Sequence, residues 1–301
     1  MRETKNSYPR VSLGKCCCLL GITRQAYYQH FWQAEAISFE QEIILNEVRY
    51  LRAIHPAMGG RKLYVLLQAF LLEHQIKMGR DALFDLLAAH QLLVRKKRRR
   101  VYTTQSFHWL KKYPNCIKEI IPNKVNEVWV SDITYYRTTQ GFVYISFITD
   151  AYSRKIVGYH AADTLEGVHT LSALQMALKE NRQPITGLIH HSDRGVQYCS
   201  YDYVKLLQDN NIIISMTENG DPLENAIAER INGIMKQEYL EHQSPSTKEE
   251  VMELLTKSVK SYNNQRPHMS CNMLTPEFVH QNNIEVERTW KSYYKPQNVI
   301  L

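Results

Sequence analysis

No stretch of the 301 residues stays apolar long enough to span a bilayer, and the opening residues lack the apolar core of a secretory signal. A membrane-spanning or exported protein is therefore not expected, and the reading is a cytoplasmic one, nucleoid-associated if the source is bacterial. Cysteine is sparse and unpatterned. Cys16, Cys17, Cys18, Cys116, Cys199 and Cys271 show no paired CxxC spacing with downstream histidines, which argues against a zinc site and a disulfide scaffold and for reduced thiols. Acidic residues are scarce at the start of the chain. Residues 1–112 hold 8 Asp/Glu against 19 Lys/Arg, a balance of +11, whereas residues 113–301 hold 22 against 18, a balance of −4. The N-terminal part is thus the half that charge fits for a polyanion. The length suits two or three domains with an ample core.

The basic half reads as helical. Residues 11–32 form two short helices around Gly21, with Thr23 able to cap the second, a helical hairpin or helix-turn-helix remnant over 1–38. Apolar residues at Ile43, Ile44, Val48, Leu51 and Ile54 predict a helix from Phe39 that stops at His55-Pro56. After Gly59-Gly60, Arg61 to His74 and about Arg80 to His90 repeat the pattern, so 39–94 is expected to be a helix-turn-helix unit with Lys77 and Arg80 as DNA-contact candidates. The densest charge run follows: Arg95, Lys96, Lys97, Arg98, Arg99 and Arg100. It is either a solvated linker or a phosphate-binding one. Tyr102, Phe107, His108 and Trp109 beside Lys111 and Lys112 favour DNA, because cations neutralise phosphates while aromatics lie on sugars or bases. Pro114 and Pro122 bracket the exit, which makes 95–123 a basic, aromatic linker.

From Val125 the pattern changes. Strands are predicted near 127–136, 143–149 and 155–160, then a helix (165–181), a strand (186–191), a helix (201–209) and a strand (211–216). Consecutive strands followed by alternation imply a mixed five-stranded sheet with helices on both faces. Two acids stand in unusual places. Asp132 is a lone charge within EVWVSDITYY, costly unless paired or bound to metal, and Asp193 sits at the carboxyl end of the strand before SerAspArgGly, the sheet edge that ligands favour. A third, Glu229, lies on a helix over 223–240 whose apolar stripe is Leu223, Ile227, Ile231 and Ile234 and whose polar row is Asn225, Glu229, Asn232 and Lys236. Asp150 reads instead as a turn residue beside Ser153. In ENGDP, Glu218 and Asp221 read as solvated loop charges. Ser246 with Glu249 predicts a capping box for a helix running to about Tyr262 within a helical tail over 242–301.

Taken together, these motifs resemble the core of insertion-sequence transposases and retroviral integrases, the acid-triad superfamily with a ribonuclease H-like fold. WVSDITYY carries the first acid, HSDRGVQYCS the second and ENAIAER the third; YISFITDAYSRKIVGY resembles the family's next two strands. YNNQRPH with the later LTP resembles the tail of the branch that encodes its transposase in two overlapping frames, of which this chain is similar to the downstream, catalytic product. HPAMGGRKLY resembles that branch's accessory helix-turn-helix, with Gly60 where an aromatic is usual, and Glu224 stands where the family usually has Asp.

The resemblance implies a ribonuclease H-like core over 124–241 with Asp132, Asp193 and Glu229 as catalytic residues and metal ligands. Their oxygen donors suit two Mg²⁺ ions, with Mn²⁺ as a substitute. It implies Lys236 on a phosphate of the terminal DNA, His191 and Asn225 in supporting roles, and Arg266 and His268 either on DNA or tying the tail to the core. Expected partners are double-stranded DNA, both element ends and target, further copies of the chain, and an upstream-frame protein. The expected reaction is cleavage at the ends of a mobile element followed by strand transfer. A non-catalytic DNA-binding regulator and a ribonuclease H or junction nuclease on the same fold are the rival readings.

Overall fold

The computed structural model describes residues 11–94, 109–181, 185–218 and 222–286, with the side chains at 30, 31, 33–38, 222 and 223 left out. The basic run at 95–100 therefore lies outside the described residues, as do Tyr102, Phe107, His108 and Asp221. The chain divides into two compact units, one of residues 1–51 and 67–93, the other of residues 52–66 and 94–301.

The first unit is helical. Helix α1 (Leu13–Leu19) is capped by Ser12, and α2 (Arg24–Ile54) by Thr23, whose Oγ1 accepts from the Ala26 amide at 3.0 Å. Two helices, one ending by residue 32 and the next starting at Phe39, are the expectation over the span of α2. The structure has one helix of 31 residues, because nothing between Arg24 and Ile54 is a glycine or proline that would end it. Helices α3 (Gly60–Glu73) and α4 (Arg80–Ala89) follow. Ile44, Val48, Leu67, Leu71, Leu83 and Leu87 form the buried apolar set that periodicity anticipates.

In the second unit, β1 (Val128–Arg137), β2 (Phe142–Asp150) and β3 (Ile156–Ala162) form an antiparallel meander. Helix α5 (Gly167–Glu180), β4 (Ile189–Ser192), α6 (Tyr201–Asp209) and β5 (Ile213–Met216) come next. The strand order is β3-β2-β1-β4-β5, with β4 parallel to both β1 and β5. This is the mixed sheet of the ribonuclease H-like fold. Alternation along the strands sends Trp129, Ile148 and Val157 to one face, where they pack with Ala173, Leu174 and Ala177 of α5 and Tyr203 and Leu207 of α6. The other face carries Tyr136, Val143, Ile145, Phe147 and Ile156. These pack with Ile231 and Ile234 of α7 (Ala226–Ile234) and with Val251, Leu255, Val259 and Tyr262 of α8 (Lys248–Asn264). Helix α8 is thus a layer of the core.

Two local details depart from expectation. The segment 222–242 is not one α-helix: a 3₁₀ turn (Pro222–Asn225) precedes α7, one turn of π-helix (Met235–Tyr239) follows it, and a 3₁₀ turn (Leu240–His242) closes it. The cap of α8 is shifted by one residue, since Thr247 Oγ1 accepts from the Glu250 amide at 3.2 Å while Glu250 accepts from the Ser246 amide at 2.6 Å. A short helix, α9 (Pro276–Asn282), ends the described chain. No described helix is long and apolar enough to cross a membrane, and all six cysteines are free.

Candidate active site

Strands β1 and β4 pair only through Val128↔Ile189, Trp129↔His190 and Val130↔His191. Asp132 and Asp193 each stand two residues beyond that last pair. Because side chains alternate along a strand, Asp132 takes the side on which Val130 packs with Ala228 of α7, and Asp193 is near enough for its charge to act on Asp132. Asp193 lies just past the carboxyl end of β4, whereas Asp132 lies midway along β1, beyond the part of that strand that β4 covers and still paired with Phe147 of β2.

The backbone holds each aspartate. Asp132 Oδ1 accepts from the Ile133 amide at 2.9 Å, and Asp193 Oδ1 accepts from the Gly195 amide at 2.9 Å. Gly195 is needed in that second turn, since a Cβ there would lie 2.9 Å from Asp193 Oδ1 and 3.0 Å from Gln197 Oε1. Glu229 lies in the first turn of α7 and is exposed. Burial, the charge of Asp193 and the charge of Glu229 together push the Asp132 carboxyl up to about 7. The three acids therefore share one electrostatic environment, although among the described residues no three acidic, histidine or cysteine side chains form a complete metal cage.

The polar row is split, with Glu229 exposed and its two asparagines buried. Asn232 is buried and donates from Nδ2 to Asp132 Oδ2 at 2.8 Å; Asn225, also buried, donates from Nδ2 to the Ser131 carbonyl at 3.0 Å. Asn225 thus supports β1 beside the first acid. Asn232 was visible in the sequence only as part of the polar row, three residues after Glu229, with no sign that it faces an acid. Tyr198 was missed altogether. Its buried phenol lies 3.0 Å from Ser131 Oγ, a hydroxyl that donates to the Phe147 carbonyl at 3.1 Å, and burial followed by the charge of Asp193 raises its pKa well above the usual value.

The two histidines face opposite ways. His190 Nε2 is 2.9 Å from Tyr203 Oη, and His191 Nδ1 is 2.9 Å from Ser215 Oγ. His191 is fully buried and burial lowers its pKa to about 4, so it braces β4 against β5 as a neutral ring. Asp150 is the turn residue it was expected to be. Its Oδ1 accepts from the amide and hydroxyl of Ser153, both at 2.7 Å, and its Oδ2 accepts from the Asn126 amide at 2.7 Å. Glu218 is tied down, accepting from the Asn115 amide at 3.1 Å and pairing with Lys118, so it is not a free loop charge.

The basic candidates separate. Lys236 is partly exposed, with Nζ 4.2 Å from the centre of the Tyr135 ring. Lys77 and Arg80 are exposed, and Arg80 pairs with its neighbour Asp81 at 2.8 Å. Arg266 and His268 are both buried, and Arg266 gives Nε and Nη2 to Glu238 at 2.8 and 2.7 Å. A guanidinium whose forked donors already hold a carboxylate inside the protein is not offered to a phosphate. The role supported for these two is joining the tail to the core.

Two family profiles described as integrase core domain match residues 122–222 and 210–276. The insertion element IS600 uncharacterized 31 kDa protein of Shigella sonnei is 34% identical over 265 residues, which cover 86% of this chain and 95% of that one. The transposase for insertion sequence element IS629, also of Shigella sonnei, is 31% identical over 262 residues, 84% of this chain and 86% of the relative. Among solved structures, the HTLV-2 integrase catalytic core domain in complex with magnesium shares 18% identity at a TM-score of 0.42, covering 52% of this chain and 96% of the other. The chain belongs to the insertion-sequence transposases built on an integrase core.

Proposed function

We propose that this transposase cuts DNA at the ends of a mobile element and joins the freed ends to new DNA, with Asp132, Asp193 and Glu229 as its catalytic acids. The observation that carries this reading is the placement of Asp132 and Asp193 at matching positions past the Val130↔His191 pair, with the helix of Glu229 reaching Asp132 through Asn232.

A divalent metal fits this site by its chemistry. The donors are hard carboxylate oxygens, and both the burial and the neighbouring acids that raise Asp132 are offset by a cation. Asp132 and Asp193 would hold it, with Glu229 completing a site for two ions once substrate phosphates supply further oxygens, as Mg²⁺ prefers. When bound, Mg²⁺ or Mn²⁺ supplies positive charge to acidify the attacking hydroxyl and stabilise the departing 3′ oxygen. The protein's own share is orientation. The Ile133 amide and Asn232 aim the two oxygens of Asp132, the Gly195 amide aims Asp193, and Lys236 is poised over Tyr135 to take a phosphate of the terminal DNA.

In the first step water attacks the phosphodiester at the element end, the bond to the 3′ oxygen breaks, and that oxygen leaves as a hydroxyl. In the second, this 3′-hydroxyl attacks a target phosphodiester, and the bond broken there releases a 3′-hydroxyl on the target strand. No covalent protein intermediate is required. The exposed Lys77 and Arg80, together with the basic run 95–100, are assigned to DNA, and the assembly on two ends uses further copies of the chain and an upstream-frame protein.

The test is incubation of the purified chain, with and without the upstream-frame protein, with labelled end DNA and Mg²⁺ or Mn²⁺. Nicking and joining should be lost in Asp132→Asn, Asp193→Asn and Glu229→Gln while gel shifts persist. Joining that survives in these variants overturns the assignment, and gel shifts without strand breakage in any metal identify a regulator.

A further inference from the structure

Two segments that resemble family signatures, the HPAMGGRK stretch and the YNNQRPH stretch, meet on one carboxylate. Glu238 lies in the π-turn directly after α7, the helix of Glu229. Its Oε1 accepts from Lys62 Nζ at 3.0 Å and from Arg266 Nη2 at 2.7 Å, and its Oε2 accepts from Arg266 Nε at 2.8 Å. Its backbone carbonyl accepts from the Ala57 amide at 3.1 Å. The next residue, Tyr239, places its hydroxyl 2.9 Å from His55 Nδ1, and Arg266 lies against the Tyr262 ring. Arg52 closes the group by donating to the Met58 carbonyl at 2.6 Å.

This arrangement does more than fill space. Arg266 is 1% exposed, Met58 and Tyr262 are 0% exposed, Lys62 is 8% exposed and the Glu238 side chain 15%, so the ion cluster is largely inside the protein. Burial works against the Glu238 carboxylate, yet Arg266 and Lys62 hold its pKa below the usual value; burial and the neighbouring Arg266 lower Lys62 to about 8. Buried charges of this kind cost desolvation and are poor sources of stability, but they have one permitted partner geometry and so fix a register. The register fixed here is that of a π-turn, which inserts an extra residue into a helical turn and is frequent at functional sites. That turn carries Lys236 as well as Glu238 and follows Glu229 without a break.

We propose that Glu238, clamped between Lys62 and Arg266, is a positioning residue that sets the register of the helix bearing Glu229 and Lys236, and that residues 55–62 and 262–268 serve this helix instead of DNA. The proposal rests on Glu229 being catalytic.

The test uses the full chain carrying Lys62→Met, which leaves the Arg266–Glu238 pair in place, and Lys62→Arg, with Glu238→Gln as a harsher variant. In Lys62→Met the joining rate at saturating end DNA should fall at least tenfold while end-DNA affinity stays within twofold of wild type. Amide exchange should accelerate across 229–240 but not in β1 or β4. Lys62→Arg should restore most of the rate, since a second fork donor can reach the same carboxylate. A Lys62→Met chain that joins at the wild-type rate, or one that loses affinity instead of rate, overturns the proposal. Glu229→Gln run in parallel separates the two readings: a fully active Glu229→Gln overturns the triad itself, whereas an inactive Glu229→Gln beside an unaffected Lys62→Met overturns only the positioning role.

Discussion

Asn232 donates from Nδ2 to Oδ2 of Asp132 across 2.8 Å, so the helix that carries Glu229 also holds the first aspartate. A hydrogen bond to an ionised carboxylate contributes about 1.5–3 kcal/mol. Burial and then Asp193 raise Asp132, whereas this bond and the Ile133 amide pull it down. Removing the bond in Asn232→Ala should therefore raise the carboxyl further and move the acid limb of the joining rate to higher pH, with a loss of roughly tenfold at pH 7. Asn232→Asp, which sets another acid beside Asp132, should shift the limb further. A pH–rate profile with an unmoved acid limb in both variants would show that the hydrogen bond does not tune the site.

The same carboxyl governs stability. With a folded pKa of about 7 against an ordinary value near 3.8, the native state holds a proton that the unfolded chain has released. Stability is therefore highest below the unfolded pKa and falls as pH rises through 7. Asp132→Asn removes that loss. It should melt at a higher temperature than the wild type at pH 8, by an amount corresponding to about 1–4 kcal/mol, and the difference should vanish near pH 4. Added Mg²⁺ should raise the wild-type melting point at pH 8 and do much less for Asp132→Asn. Thermal melts at the two pH values, with and without the ion, check all of this; equal melting at pH 8 would refute it.

Two glycines give opposite outcomes. A Cβ on Gly158 of β3 would lie 2.2 Å from the Ala173 carbonyl oxygen of α5 and 2.9 Å from Ala177 Cβ. Backbone cannot step aside there, so Gly158→Ala should lose about 1–3 kcal/mol or more of stability by overpacking. The atoms nearest a Cβ on Gly195 belong to the side chains of Asp193 and Gln197. Gly195→Ala should stay folded and lose joining activity by pushing Asp193 out of its turn. Denaturation midpoints paired with joining rates separate the two.

Much of the core was legible because strands and sheet faces follow from alternation, and Asp193 followed from a polar triplet directly after an apolar run. The features that escaped share one cause, which is that they need a partner to be recognised. A polar row on a helix has the same period whether it faces water or an acid, so the burial of Asn225 and Asn232 was invisible without β1. The sequence leaves Arg266 open between DNA and the core because nothing local shows that Glu238 waits for it. The π-turn leaves no signature in side-chain periodicity, and the length of α2 follows from the absence of glycine and proline after Arg24, which the apolar pattern starting near Phe39 obscures.

The buried pairing of Arg266 with Glu238 yields a contrast with the run at 95–100. Neutralising phosphates releases counterions, so binding that uses Lys and Arg weakens steeply with salt. Replacing Arg98, Arg99 and Arg100 by Ser should weaken end binding across all DNA sequences and flatten the dependence on salt by about one unit of slope for each phosphate no longer neutralised. Arg266→Met should leave that slope unchanged. It strips Glu238 of its forked partner inside the core, a change that costs roughly 3–5 kcal/mol, and so should appear as a lower denaturation midpoint. Salt titrations of end binding beside urea melts decide the matter: a flattened slope in Arg266→Met would return that residue to the DNA surface.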